Sequence, residues 1–272
     1  MESVKLYWWR KKPNFGDAIN PYIVAYVSGR EVEWAEPADC ELVAIGSVMG
    51  MVEGAVNQKL GPPKYFWGTG AFGPAGCLQR MAASEHAKIT SVRGPLTAAW
   101  TGDPDRPTGD AGLLSDRAFG PVKKRYEIGV VPHHTQWSKP EFIEQIKEKK
   151  RFHLIDVRAK DPVSVVREIA ACEAIFSCSL HGLVIADAYH IPNYWMEGPS
   201  LGQRDLKFID YGLSVGRALA RPRSMDACLK EVDSQDFSEF WYFKNMDDIK
   251  DAIEDAFPCN VIVPSQPLDV TC

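Results

Sequence analysis

Residues 174–195 read AIFSCSLHGLVIADAYHIPNYW. The run Ala174–Cys178 has the length and apolar character of a strand, Ser179 is a helix-opening residue type, and a helix starts near His181. Asn193–Trp195 supplies the next strand. Upstream the rhythm repeats, with a strand at Tyr126–Val131 after Lys123-Lys124-Arg125, a helix at Pro140–Lys150, a strand at Phe152–Val157 and a helix at Pro162–Cys172. Alternation of this kind predicts a parallel α/β sheet.

The first part of the chain has the same grammar. Val4–Trp9 reads as a strand, followed by Asn14-Phe15-Gly16-Asp17 and a helix to Val27 that stops at Ser28-Gly29. Glu41–Ile45 ends at Gly46-Ser47, and Lys64–Trp67 ends at Gly68-Thr69-Gly70. Lys88–Val92 runs into Arg93-Gly94-Pro95, where an early proline suits a helix through Trp100. Thr101–Arg106, rich in Gly, Asp and Pro, reads as a linker. The expected fold is α/β, with two Rossmann-like domains of mostly parallel sheets facing a cleft, at residues 1–118 and 119–234. An acidic, aromatic helix at Phe237–Phe257 (residues 235–258), free to pack back on the first domain, and a tail over 259–272 complete the chain.

Composition narrows the function classes. At 272 residues, 45% hydrophobic and 25% charged, the chain has an ordinary globular mix, which excludes disorder. A net charge of −5 argues against a nucleic-acid partner. The opening MESVKLYWWRKK lacks an apolar signal core, and no apolar run is long enough to cross a bilayer, so at most peripheral membrane contact is expected. Seven cysteines without a CxxC pair suggest neither a disulfide framework nor structural zinc. A reduced, cytoplasmic compartment is the expectation, with the inner face of the membrane compatible with it. The pattern is silent on oligomeric state, and a homo-oligomer is compatible with it.

Ligands of parallel sheets bind beyond the carboxyl ends of the strands, so the chemistry is sought in those loops. Gly16 allows close backbone approach and Asp17 can cap the helix beyond it, although a plain capped turn gives the same sequence. Ser47 and Thr69 stand at glycine-bearing strand ends that suit a groove floor, or mere turns. Arg93, between a strand and a helix, suits a carboxylate or phosphate; its alternative is a surface pair with an acid such as Asp110. His181, at a helix start, has its pKa lowered by the dipole, and a bound dianion raises it again, as a substrate-gated acid requires. A capping or core histidine is the plainer reading. His133 and His134 lie on an extended segment and are expected to point opposite ways, with one facing the cleft. Lys207 sits between Leu206 and Phe208, a sheltered ammonium for an anion, on a segment that also carries Arg204. Trp8, Trp9, Trp67 and Trp195 suit the core or a sugar face. Cys178, within a strand, makes a poor nucleophile. No HxxxH or Cys/His cluster points to a metal.

Together these segments resemble the polysaccharide pyruvyl transferase family. The resemblance rests on Asn14-Phe15-Gly16-Asp17 with Asn20, Gly46-Ser47, Trp67-Gly68-Thr69-Gly70, Ser91-Val92-Arg93-Gly94-Pro95-Leu96-Thr97, Gly109-Asp110, Val131-Pro132-His133, Ser179-Leu180-His181-Gly182, and Lys207 with Asp210-Tyr211. They come in family order over roughly residues 4–215. Members often read Gly-Asp-Pro where Ala111 follows Asp110 here, and some relatives place a second basic residue where Ser179 stands; Lys207 is the replacement candidate.

The resemblance implies a GT-B-like architecture and the transfer of a pyruvyl group from phosphoenolpyruvate to two sugar hydroxyls as a cyclic ketal, releasing phosphate. The look is closest to members that decorate bacterial exopolysaccharides. It places donor binding at Arg93 and acid catalysis at His181; further donor contacts are expected at Ser179, Leu180 and Lys207, and Asp17 or His133 is expected to orient the acceptor or take its proton. Acceptor contacts are expected at Asn14, Gly16, Ser47, Thr69 and His133. Phosphoenolpyruvate is the co-substrate, the partner is a saccharide, lipid-linked or free, and no metal or redox cofactor is called for. A nucleotide-sugar glycosyltransferase on the same architecture, or a non-catalytic glycan-binding protein, is the alternative.

Overall fold

Two parallel sheets organise the chain, each carrying its helices in the connections between strands. The computed structural model describes residues 3–74, 76–198, 205–217, 221–234 and 246–259. The first half runs β1 (Val4–Tyr7), α1 (Phe15–Ala18), α2 (Asn20–Ser28), β2 (Val32–Trp34), β3 (Leu42–Val43), α3 (Met49–Asn57), β4 (Lys64–Phe66), α4 (Gly76–Ala82), β5 (Ala87–Ile89), α5 (Pro95–Trp100) and, after a 3-10 turn at Ala111–Leu114, α6 (Ser115–Phe119). The second runs β6 (Tyr126–Val131), a 3-10 turn at His134–Ser138, α7 (Pro140–Lys147), β7 (Phe152–Leu154), α8 (Pro162–Ala170), β8 (Cys172–Ser177), α9 (Leu180–Ala188) and β9 (Asn193–Trp195). Helices α10 (Leu206–Ser214), α11 (Met225–Ser234) and α12 (Met246–Asp255) follow.

The strand orders decide where a ligand can sit. The first sheet is ordered β2-β1-β3-β4-β5 and the second β7-β6-β8-β9, with every described pairing parallel. Each sheet therefore reverses its winding once, between β1 and β3 in the first and between β6 and β8 in the second. At such a reversal the loops leave in opposite directions and open a crevice beyond the carboxyl ends. The central strands β6 and β8 are buried along most of their length, as strands covered on both faces must be.

Several elements are shorter or more broken than expected. The helix foreseen to Val27 is two pieces: Asn14 caps α1, and α2 restarts at Asn20 with Pro21 in its first turn. β8 ends at Ser177, so Cys178 stands just past the strand, where burial pushes its thiol up to about 12. Of the foreseen C-terminal helix, α12 is present, while 237–245 and the tail beyond 259 fall outside the described residues. Trp67 Nε1 donates to Ile253 O at 2.7 Å, Phe257 meets the Trp67 ring edge-on, and the buried Lys250 ammonium donates to Asp116 and to Ala188 O.

α10 is fastened to the first half through Asp210. Its carboxylate accepts from Thr97 N at 3.0 Å and Thr97 Oγ1 at 2.7 Å, capping α5 from outside that helix. Gly94 is the residue that permits this approach, because a Cβ there would lie 2.0 Å from Asp210 O. Backbone cannot give way as a flexible side chain can. Gly94→Ala is therefore expected to lose about 3 kcal/mol or more in urea unfolding, and an unchanged midpoint would show that α10 does not need this contact.

Candidate active site

The residues that close on one another lie where the topology directs them. A cavity of about 450 Å³ is lined from the carboxyl ends of both sheets: Asn14 and Asp17 after β1, Ser47 after β3, Arg93 after β5, His133 after β6 and Ser179–His181 after β8. Lys207, near the start of α10, completes the wall. A larger cavity of about 550 Å³, bounded by Arg221, Arg223 and Glu231, gathers no buried ionisable cluster among the described residues. Convergence of buried titratable groups singles out the first.

His181 is the second residue of α9, whose cap, Ser179, makes no side-chain capping bond. The turn before it is held by Ser177, whose hydroxyl donates to Ser179 O at 2.7 Å and accepts from Ser179 N at 3.0 Å. The imidazole lies directly on Gly16, where a Cβ would stand 2.0 Å from Nδ1, and it meets Phe15 edge-on. The sequence placed Gly16 in contact with an acceptor; its surface is occupied by His181 instead, and it does not line the cavity. Burial, aided by the positive charges of Lys207 and Arg93, brings the His181 pKa down to about 3, so the ring is neutral at physiological pH.

Asp17 shows the opposite shift. Burial raises its carboxyl to about 7, opposed by the hydrogen bond from Asn14 Nδ2 at 2.7 Å and by Lys207, with Asp110 adding to the rise. A carboxyl so placed gains and loses its proton near neutrality.

Arg93 is almost wholly buried, and its fork is already engaged. Nε and Nη2 hold Asp210 at 3.1 and 2.9 Å, Nη2 also donates to Ala71 O, and Nη1 donates to the Ser47 hydroxyl at 2.7 Å. Its acid partner is thus Asp210 of α10 rather than Asp110, the acid considered from sequence. Ser47 and Arg93 reach the cavity together. Thr69 does not: it is buried behind the wall, donating to Gly46 O at 2.9 Å.

His133 and His134 correct the expectation of opposed rings. The chain turns into a 3-10 helix at His134, and both rings line the cavity with centroids 4.1 Å apart. His133 Nδ1 accepts from Thr135 N, which places the ring hydrogen on Nε2; burial lowers its pKa to about 4. Leu180 and Lys207 line the cavity as well, and Lys207 Nζ also lies 5.2 Å from the Phe208 ring. Arg204 falls outside the described residues. Of the tryptophans, Trp67 and Trp195 are buried, Trp195 stacked on Phe208, while Trp9 reaches the cavity. Sequence reading missed Lys12, Phe72 and Thr135 in the lining, and the ring-facing place of Asp110. Among the described residues no group of three or more His, Cys, Asp or Glu is placed to hold a metal ion, and no helix is long and apolar enough to cross a membrane.

Two outcomes follow from these burials. Asp210→Ala strands the buried Arg93 charge and is expected to cost about 3–5 kcal/mol in chemical denaturation, with Arg93→Met/Asp210→Leu regaining most of it; a loss below about 1 kcal/mol would show the pair to be solvated. Asp17 binds its proton more tightly folded than unfolded, so its contribution is present below about pH 4 and is lost as pH rises through about 7. Asp17→Asn should gain on the parent across that window by up to about 4 kcal/mol, and a pH-independent difference would contradict the raised carboxyl.

The family model described as polysaccharide pyruvyl transferase matches residues 8–198. The succinoglycan biosynthesis protein ExoV of Rhizobium meliloti (strain 1021) is 30% identical over 250 residues, 86% of this chain and 72% of that protein. The uncharacterized protein L143 of Acanthamoeba polyphaga mimivirus is 24% identical over 257 residues, 90% of this chain and 85% of its own. No solved structure matches the chain significantly. The matched segment carries Asn14, Asp17, Ser47, Arg93, His133 and His181, the residues that line the cavity from both sheets. On the extent of that match, the chain belongs to the polysaccharide pyruvyl transferase family.

Proposed function

We propose that this protein transfers the pyruvyl group of phosphoenolpyruvate to two hydroxyls of a saccharide as a cyclic ketal, releasing phosphate. The observation that carries the reading is a buried, neutral imidazole at a helix start, facing a cavity, its pKa held down by burial and by the charges of Lys207 and Arg93. A ligand bearing a carboxylate and a phosphate brings negative charge to that ring, and this charge reverses the shift on His181.

The roles divide by position. Lys207 and the amide groups opening α9 receive the anionic groups of the donor, with the Ser47 hydroxyl held ready by Arg93. His181, protonated once the donor is bound, gives its proton to C3, while a sugar hydroxyl bonds to C2 and yields its proton to Asp17. The second hydroxyl then bonds to C2 as the C2–oxygen bond to phosphate breaks, and its proton leaves with the phosphate. One hydroxyl hydrogen is thus balanced by the new methyl hydrogen and the other by hydrogen phosphate. His133, with its hydrogen on Nε2, donates to the acceptor or the phosphate and does not compete with Asp17 as base. The likeness to a succinoglycan biosynthesis protein supports an exopolysaccharide acceptor, presented on a lipid carrier or free.

Incubation with phosphoenolpyruvate and a panel of lipid-linked oligosaccharides should add the pyruvate mass increment to one acceptor, read by mass spectrometry. His181→Ala should keep its fold and release phosphate about 10²–10⁴-fold more slowly. Survival of activity within a few-fold, or turnover of a nucleotide-sugar in place of phosphoenolpyruvate, would overturn the assignment.

A further inference from the structure

Two polar atoms face each other without partners just behind the cavity wall. His181 Nε2 and Asp110 Oδ2 are both buried, neither has a hydrogen-bond partner among the described residues, and they stand 3.8 Å apart. That separation is too long for a bond. Each atom left so costs about 1–3 kcal/mol, and a facing pair of orphans points to a bond made in another state of the site. Asp110 cannot swing away, because Oδ1 accepts from Gly112 N at 2.9 Å and caps the 3-10 turn Ala111–Leu114. The ring opposite is confined by Gly16 and Phe15. A shift of about 1 Å closes the gap.

We propose that Asp110 is the positioning carboxylate of His181, holding the Nε2 hydrogen so that Nδ1 is the nitrogen that exchanges a proton with the substrate. This rests on the reading of His181 as the acid that protonates the donor. In the free protein the neutral ring carries its hydrogen on Nε2, aimed at Asp110. Arrival of the anionic donor draws a solvent proton onto Nδ1, and the imidazolium closes on the carboxylate. Nδ1 then passes its proton to C3, and Nε2 keeps its own. Nothing is oxidised or reduced in the cycle. The charges bearing on the pair are Lys207 and Arg93, which oppose the imidazolium, and Asp17 and Asp210, which lie near Asp110 together with the Tyr211 hydroxyl.

Asp110→Asn tests this with little change of shape, since the amide oxygen can still cap Gly112 while its NH2 group faces Nε2 and forces the ring hydrogen to Nδ1. With histidine ring nitrogens labelled with 15N, nuclear magnetic resonance should find the wild-type hydrogen on Nε2 and the variant hydrogen on Nδ1. Saturating inorganic phosphate should raise the His181 titration in the wild type, and about one pH unit less in the variant. Phosphate release from phosphoenolpyruvate with acceptor should fall about 10²–10⁴-fold in kcat, with KM for phosphoenolpyruvate moving less than about threefold. A wild-type hydrogen on Nδ1, a variant titrating like the wild type, or a kcat within about threefold overturns the pairing. The wild-type tautomer decides the matter even if Asp110→Asn does not fold. It is read without phosphoenolpyruvate, so an Nε2 hydrogen in a protein that fails to turn that donor over counts against the functional reading alone.

Discussion

The buried pair of Arg93 and Asp210 is the constraint on which the site depends. Arg93 belongs to the loop after β5 and Asp210 to α10, so one contact ties a strand end of the first sheet to a helix that follows the second. Its worth lies in register more than in net stabilisation, because taking both charges out of water offsets much of their attraction. Asp210 spends its remaining lone pairs on Thr97, and Arg93 spends Nη1 on Ser47, so neither charge is left uncompensated. Lys207 stands one helical turn before Asp210 on the same face of α10, and the pair therefore fixes where that ammonium meets the cavity.

Around that frame the electrostatics are arranged for an incoming anion. Burial makes His181 and His133 neutral, while Asp17 holds its proton to about pH 7. Two cations, Lys207 and Arg93, remain to oppose any proton on the His181 ring. On the proposed function, the free site thus resists the state that acid catalysis requires, and the negative charge of the donor produces it.

Much of this was legible in the sequence because parallel sheets send their functional loops to one edge. Short apolar runs ending in Gly-Ser, Gly-Thr-Gly or Ser-Leu-His locate strand ends, and the ends at Ser47, Arg93, His133 and His181 all reach one cavity. The pairing of charges was not legible. Asp110 and Asp210 are alike as residues, and the return of α10 across α5 gives Asp210 to Arg93, while Asp110 stands 3.8 Å from His181. Gly16 was legible as a place of close approach but not as the seat of a histidine 165 positions away. His133 and His134 were misjudged because an extended segment was assumed where the chain turns into a 3-10 helix, which brings both rings to one side.

Proton exchange on donor binding tests the central claim most directly. Calorimetric titration of phosphoenolpyruvate into the protein at about pH 8, repeated in buffers of different ionisation heat, counts the protons that accompany binding. A donor-gated imidazole requires uptake of about one proton per site, lost when His181 is replaced by glutamine. Binding with no uptake, or with uptake that survives that replacement, contradicts it.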